Sequence, residues 1–342
     1  LNFLPTWQFV GRSLVITEIA GPGFMKINTT FRKTYRRALA IYISLTAIQY
    51  ALLRLSGLNK SDSLITSLSN ISTAGLMNLN NGNIISYGLA IKIIITTFAF
   101  MSSLNFSILL LATMRKFREL TEGPELKFHS GRILTTAIFI TGILYITYNR
   151  SISSLKEFGN VLMQVNSYFT TAGYQISDTS RWPGAACAII LVQMFIGACA
   201  ISSGGGIKAA RTIIALKTAS RTLYHHIHKN AIRPIKYAGT PLKLNTLLRC
   251  NLYIVMFVVT YLFGALILSI NLDLNTALST SLAMLTNTGT YINQTATTGI
   301  LDDYSVVSKI TMMFLMLAGR LEIYPVILIF FKSFWKNDND FF

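Results

Sequence analysis

Apolar residues in this chain fall into long runs, and what separates the runs follows a fixed order. From Ala38 to about Leu58 the run is long enough to cross a bilayer, which takes ~20 apolar residues. Lys60-Ser61-Asp62-Ser63 then offers polar capping residues for a new helix. The stretch that follows, Leu64 to Ile71, is too short to span and ends in Ser72-Thr73-Ala74-Gly75-Leu76. A second long run extends from Ile84 to Met114. The pattern predicts a spanning helix, a short half-helix, a glycine turn and another spanning helix.

The order returns twice. A basic segment (Arg115, Lys116, Arg118, Lys127, Arg132) leads into the run Ile133 to Tyr148. A short amphipathic piece, Ser154 to Phe169, ends in Thr170-Thr171-Ala172-Gly173-Tyr174, and a long run from Trp182 to Ile201 follows. After another basic segment come the run Asn251 to Ile270, the short piece Leu274 to Leu285 ending Thr286-Asn287-Thr288-Gly289-Thr290, and a last run from Tyr304 to Trp335. The turn glycines lie at 75, 173 and 289, so the spacings are 98 and 116 residues. Three copies of one unit, sharing pattern more than letters, suit walls of a common pore. Residues from about Phe3 to Phe24 read as the end of a further membrane helix, and the chain reads as incomplete at its start.

One run does not end like the others. Trp182 to Ile201 stops in Ser202-Ser203-Gly204-Gly205-Gly206-Ile207-Lys208, and apolar sequence resumes at Ile213. A glycine-rich break inside spanning sequence is costly unless it lines a cavity, because lipid cannot satisfy free backbone groups. A phosphate-binding loop is excluded, since Walker A needs Gly-Lys-Ser/Thr after four intervening residues.

Composition agrees with a multispanning membrane protein: 52% of the 342 residues are hydrophobic and only 13% charged, with mean hydropathy +0.50. The net charge of +17 does not point to nucleic acid, because the basic residues sit between apolar runs. Lys and Arg number 6 in residues 1–37, 5 in 114–132, 9 in the acid-free 208–249 and 2 in 332–342, out of 30. The positive-inside rule therefore puts these loops in the cytoplasm and the half-helices on the outer side. Cys187, Cys199 and Cys250 lie in apolar runs and fit neither a metal pattern nor a disulfide framework.

The threonine-containing glycine turns carry the candidate chemistry. A cation filter needs carbonyl oxygens aimed at one axis to replace the ion's water shell. Glycine permits the backbone angles that point successive carbonyls one way. A half-helix ending at the turn adds its negative dipole end. A single such turn is an ordinary helix end; three, each after a half-helix between spanning helices, form a pattern.

The segment Phe195-Ile196-Gly197-Ala198-Cys199-Ala200 followed by Ser202–Lys208 resembles the broken-helix motif of the Trk/Ktr/HKT potassium transporter family, as does Gly319-Arg320-Leu321-Glu322-Ile323-Tyr324. The resemblance implies an all-α polytopic membrane protein of repeated helix–pore-loop–helix units around a pseudo-fourfold pore. It divides the chain into residues 1–25, the remnant of a first-repeat second helix, repeat 2 at 26–114, repeat 3 with the broken helix at 115–230, and repeat 4 at 231–342. The implied potassium filter is Ser72, Thr73, Ala74, Gly75, Thr170, Thr171, Ala172, Gly173, Thr286, Asn287, Thr288 and Gly289. The implied gate is the intramembrane loop Ala200–Ile207, with Ser202, Ser203, Gly204, Gly205 and Gly206, together with Arg320 projecting toward it. The family implies potassium uptake across a plasma membrane, that of a bacterial inner membrane here. It also implies a homodimer, and a cytosolic nucleotide-binding ring docked on the basic face. Potassium is substrate, and no cofactor is expected.

The chain departs from the family where Leu76 stands in a place usually aromatic, and where Arg12 stands among usually small residues. Three filter strands are fewer than the family's four, so a non-conducting membrane subunit is the alternative. Arg320 is expected mid-run in a spanning helix, where a lone arginine costs roughly 2.5–3.5 kcal/mol unless it faces water or a partner. A structural ion pair is the other reading for it. Glu322, two residues on, faces another side and is a poor partner for Arg320. Lys92 and Lys309 are expected to snorkel to the outer interface. His225, His226 and His228 lack further ligands for a metal site. Asp302-Asp303 could enrich cations at the outer mouth or simply be solvated. No nucleophile elbow, metalloprotease motif or paired carboxylate appears, so a membrane enzyme is disfavoured.

Overall fold

The computed structural model describes residues 31–76, 84–113, 123–148, 154–179, 182–228, 234–289 and 304–328. The first unit holds α1 (Phe31–Leu55), α2 (Lys60–Ile71), a 3-10 turn (Ile84–Ser86), α3 (Leu89–Ser103) and α4 (Phe106–Thr113). The second holds α5 (Pro124–Thr147), α6 (Ser154–Phe169), α7 (Gly184–Met194) and α8 (Ala209–Ile227). A small antiparallel hairpin, β1 (Lys236–Tyr237) and β2 (Thr240–Pro241), leads into the third: α9 (Leu244–Leu268), α10 (Leu274–Leu285), α11 (Val306–Arg320) and α12 (Ile323–Leu328).

Among the described residues three helices are long and apolar enough to cross a membrane: Arg36–Leu55 within α1, α5, and α9. Each opens a unit and packs on the short helix that follows it: α1 on α2, α5 on α6, α9 on α10. The units join sideways, α3 against α6 and α7 against α10. Large apolar side chains such as Ile43, Phe139 and Phe263 face outward, while Gln49, Thr136 and Ser281 are buried. That inversion suits a chain solvated by lipid, where helices associate through packing and polar contacts rather than by hiding apolar surface. One core cluster, with Ile140, Phe169, Ile190, Phe257 and Leu282, binds the second unit to the third. Another, with Leu53, Ile95, Met163 and Tyr174, binds the first to the second.

The expected second helices are not continuous. The run Ile84 to Met114 is a 3-10 turn and two helices, with extended backbone at Leu104 (ψ 154°) between α3 and α4. Trp182 to Ile201 yields only α7 before the chain leaves the helix. The last run breaks after Arg320, with Glu322 at φ 64°. Hydropathy does not register interruptions of one or two residues. The run from Ile133 begins earlier than expected, since Pro124 sits in the first helical turn and Glu125 beside it, both favoured there. Lys127 and Arg132, expected in a basic loop, are therefore helical. The Phe3–Phe24 run, Arg12, Thr290 and Asp302-Asp303 lie outside the described residues.

Candidate functional site

Each short helix ends in the same backbone figure. Thr73, Thr171 and Asn287 have φ of 54°, 57° and 57°, and Gly75, Gly173 and Gly289 have φ of 68°, 71° and 77°. A non-glycine residue in this region is uncommon, so three in register are a built feature. The turns send their N–H groups back into the helix end. Ala74 N donates to Ser69 O at 2.8 Å, Ala172 N to Ser167 O at 3.1 Å and Thr288 N to Ala283 O at 2.9 Å. Among the described residues no donor sits on the backbone carbonyls of Thr73, Ala74, Thr171, Ala172, Asn287 or Thr288.

Side chains fix the turns. Gln164 accepts from the N–H groups of Ile176 and Ser177 at 2.7 and 2.9 Å, and Ser167 Oγ donates to Tyr174 O at 2.7 Å. The Tyr174 hydroxyl donates to Ser69 Oγ at 3.2 Å, linking the second turn to the first short helix. Leu76, at the equivalent place in the first unit, is 67% exposed. Asn70 and Asn166 donate to the neighbouring carbonyls of Ile95 and Thr96, both at 3.0 Å.

The turns converge. A Cβ on Gly75 would lie 2.6 Å from Ala172 O, so the first two turns touch through backbone. The glycine loop after α7 meets all three. Thr73 Oγ1 donates toward Ser203 O at 2.9 Å, Gly205 N donates to Thr171 Oγ1 at 2.9 Å, and a Cβ on Gly205 would collide with Thr286 O. Gly197 and Gly206, φ 67° and 83°, press against each other, and a Cβ on Gly206 would lie 2.6 Å from Gly197 Cα. Glycine is needed here for close approach as much as for freedom.

Charged side chains hold the loop from outside. Arg320, the last residue of α11, donates to Ser203 O at 2.6 Å and reaches Ser72 O at 3.5 Å. It is thus at a break in its helix, not mid-run as expected from hydropathy. Ser203 Oγ donates toward Ile71 O and Ser102 O, at 3.1 and 3.0 Å. Lys208, at φ 78°, folds its ammonium back onto Gly204 O, with Ser202 O at 3.4 Å. Arg132 donates to Gln193 O at 3.2 Å and Gly197 O at 2.6 Å, where the chain leaves α7. Its guanidinium lies 4.5 Å from the centre of the Phe169 ring and 3.1 Å from His129 Nδ1. His129 Nε2 lies 3.0 Å from Ser103 Oγ. Glu125 accepts from Ala200 N at 3.2 Å and from the Tyr237 hydroxyl. Burial, then the Glu125 carboxylate, hold the Tyr237 phenol above its usual range, so it stays a donor.

Glu322 pairs with Arg211 at 2.7 Å, and Arg211 lies 3.9 Å over the Tyr253 ring. This agrees with the expectation that Glu322 is not the partner of Arg320. Lys92 donates to Ile85 O at 2.9 Å, at an exposed position. His225, His226 and His228 are exposed, and among the described residues no cluster of His, Cys, Asp or Glu could hold a metal. The three cysteines are buried.

The structure therefore gathers Ser72, Thr73, Gly75, Thr170, Thr171, Ala172, Thr286, Ser203, Gly204, Gly205 and Arg320 around one loop. Glu125, His129, Arg132, Lys208 and Arg211 were not assigned to the site by sequence. Gly123-Pro124-Glu125, a helix start, was the available signal for the first three.

A family profile described as TrkH, cation transport protein, matches residues 12–338. The Trk system potassium uptake protein TrkH of Halomonas elongata is 28% identical over 345 residues, covering 98% of this chain and 69% of that protein. The protein of the same name from Escherichia coli is 27% identical with the same coverage. A solved structure, the potassium transporter TrkH from Vibrio parahaemolyticus, shares the fold with TM-score 0.81 and 24% identity, over 91% of this chain and 67% of that one.

Proposed function

Because the chain belongs to the TrkH family of cation transport proteins, we propose that it carries potassium inward across a membrane, through a path lined by the turns at Gly75, Gly173 and Gly289. The similar proteins are named for potassium uptake. It is a multi-pass membrane protein, and cation transport is not an enzyme class. The observation that carries the reading is the shared backbone figure of the three turns, with their carbonyls unpaired among the described residues. Such carbonyls can replace the water an ion gives up. The C-terminal ends of α2, α6 and α10 add their negative dipole ends at the same places. A membrane potential negative inside pulls the ion at roughly 2.3 kcal/mol per 100 mV.

In this reading Ser72–Gly75, Thr170–Gly173 and Thr286–Gly289 form the filter, and Ser202–Gly206 form a gate that closes the path beneath it. Residues 26–114, 115–230 and 231–342 are its repeating units. Arg320 keeps a positive charge beside the path and holds the closed loop through Ser203 O. The basic loops face the cytoplasm of a bacterial cell. The name "Trk system" borne by the relatives supports a multi-component assembly; a homodimer with a cytosolic nucleotide-binding ring on the basic face is the arrangement we favour.

Expression in a potassium-uptake-deficient bacterium tests the function. Growth on low potassium is expected to return, and rubidium to accumulate. No growth, from protein that is present and folded in the membrane, counts against transport. Arg320→Ala in liposomes is expected to raise basal rubidium flux severalfold, since one charge-assisted bond and one repelling charge are lost. Equal flux in both proteins removes Arg320 from the gate.

A further inference from the structure

One buried polar chain has no part in the path itself, and it starts at the hairpin. Ala238 and Gly239 both have positive φ, 46° and 79°, as a tight two-residue hairpin turn requires. Lys217 Nζ donates to Lys236 O at 2.9 Å, and Leu242 N donates to Ile235 O at 2.9 Å, so the hairpin is tied to α8 and closed on itself. Ile235 and Tyr237 share a buried cluster with Ala200 of the loop and with Ile214 and Cys250, and Ile201 packs against it.

The Tyr237 hydroxyl donates to one oxygen of Glu125, and the other oxygen accepts the Ala200 N–H at 3.2 Å. The Asn105 side chain, from the break between α3 and α4, also bonds Glu125. Glu125 is 6% exposed. A carboxylate can accept from several donors in different directions at once, which suits a junction of this kind. Without it the Ala200 N–H would be a buried donor with no partner. The residue after Ala200 is Ile201, a β-branched residue at φ 55°. That conformation is strained and persists only where its surroundings fix it. Ile201 O accepts from Phe106 N at 3.3 Å, a second tether at the same point.

We propose that Glu125 is a positioning residue for the gate, joining hairpin Lys236–Pro241 to the loop through Tyr237 on one side and Ala200 on the other. Displacing the hairpin frees the Ala200 N–H, lets Ile201 leave its strained conformation, and opens the path. The proposal rests on the reading of Ala200–Ile207 as the gate. It makes the hairpin the handle by which that gate is moved.

Rubidium flux into liposomes, with purified wild type, Tyr237→Phe, Glu125→Ala, the double variant and Arg320→Ala, tests it. Tyr237→Phe is expected to raise basal flux about tenfold, the worth of one hydrogen bond to a charged group. Glu125→Ala is expected to raise it at least as much, and the double variant no further than Glu125→Ala alone. The half-saturating potassium concentration and the potassium-over-sodium preference stay at wild-type values; a merely structural role would lower flux and thermal stability together. Tyr237→Phe removes one oxygen and keeps the ring in its cluster, so it decides the matter even where Glu125→Ala does not fold. Wild-type flux in folded Tyr237→Phe, or effects that multiply in the double variant, overturns the relay. If Arg320→Ala raises flux while the Tyr237 and Glu125 variants do not, the relay falls and the gate stands. If all of them match wild type, the gate falls, and the relay with it.

Discussion

The helices that open the units and the helices that close them solve different problems with similar composition. α1, α5 and α9 run unbroken for about the width of a bilayer, and each satisfies its own backbone. The closing helices are each cut: at Leu104–Asn105, between Met194 and Ala209, and at Leu321–Glu322. All three cuts meet at the glycine loop. Cys199 N donates to Ser103 O at 3.1 Å, Phe106 N to Ile201 O at 3.3 Å, and Arg320 to Ser203 O at 2.6 Å. Where a helix stops satisfying itself, side chains from other helices and from the loop take over. Arg132, Glu125, Ser203, Lys208 and Arg320 all serve carbonyls or N–H groups near a cut. Hydropathy alone makes the two sets look alike; their backbone needs set them apart.

Glycine substitutions separate the two sets most sharply. At Gly205 an added Cβ would strike Thr286 O, and at Gly319 it would strike Leu285 O, backbone atoms that cannot swing away. Gly205→Ala and Gly319→Ala are each expected to cut rubidium uptake by more than about tenfold, given overpacking costs of ~1–3 kcal/mol or more. Uptake at the wild-type rate in Gly205→Ala would mean the loop does not sit against the third turn, and in Gly319→Ala that α11 does not sit against the end of α10.

The charged pair beside the last cut comes next. Arg211 and Glu322 are 5% and 13% exposed. Glu322→Gln leaves the guanidinium buried without its carboxylate, expected to cost ~3–5 kcal/mol. A melting temperature in detergent within a degree of wild type would show the pair to be dispensable. The control on an unbroken helix gives the smallest effect. Gly142 of α5 has open space around the added atom, so Gly142→Ala is expected to change stability by no more than ~1 kcal/mol, in the favourable direction, with uptake unchanged. A large loss there would erase the contrast between the two helix sets.

The opening helices, the short helices and the turn glycines were legible because each is a local signal: a run length, a capping cluster, a short polar ending closed by glycine. The start of α5 was harder to read, since Lys127 and Arg132 pulled the segment toward a loop while Gly123-Pro124-Glu125 pointed to a helix. Ser102-Ser103-Leu104-Asn105 was the only hint of the first cut, and a few small polar residues in an apolar run do not announce one. The partners of the charges were not legible at all. Arg211 and Glu322 are 111 residues apart, and Arg320 and Ser203 are 117 apart. Such pairings follow from how the units pack, which no short window of sequence encodes. Left-handed backbone at Thr73 and Thr171 was equally hidden, because threonine rarely adopts it unaided, whereas Asn287 is of a type that enters it more readily.

Ser203 belongs to one segment yet is bound by two others: its carbonyl takes Thr73 and Arg320, and its hydroxyl faces Ile71 and Ser102. A barrier pinned at one residue to opposite walls has no half-lifted position in which some of those ties survive undistorted. In the gate proposed above, the loop is expected to swing clear in a single cooperative step or stay shut, so the current through one molecule is expected to take two values with nothing between them.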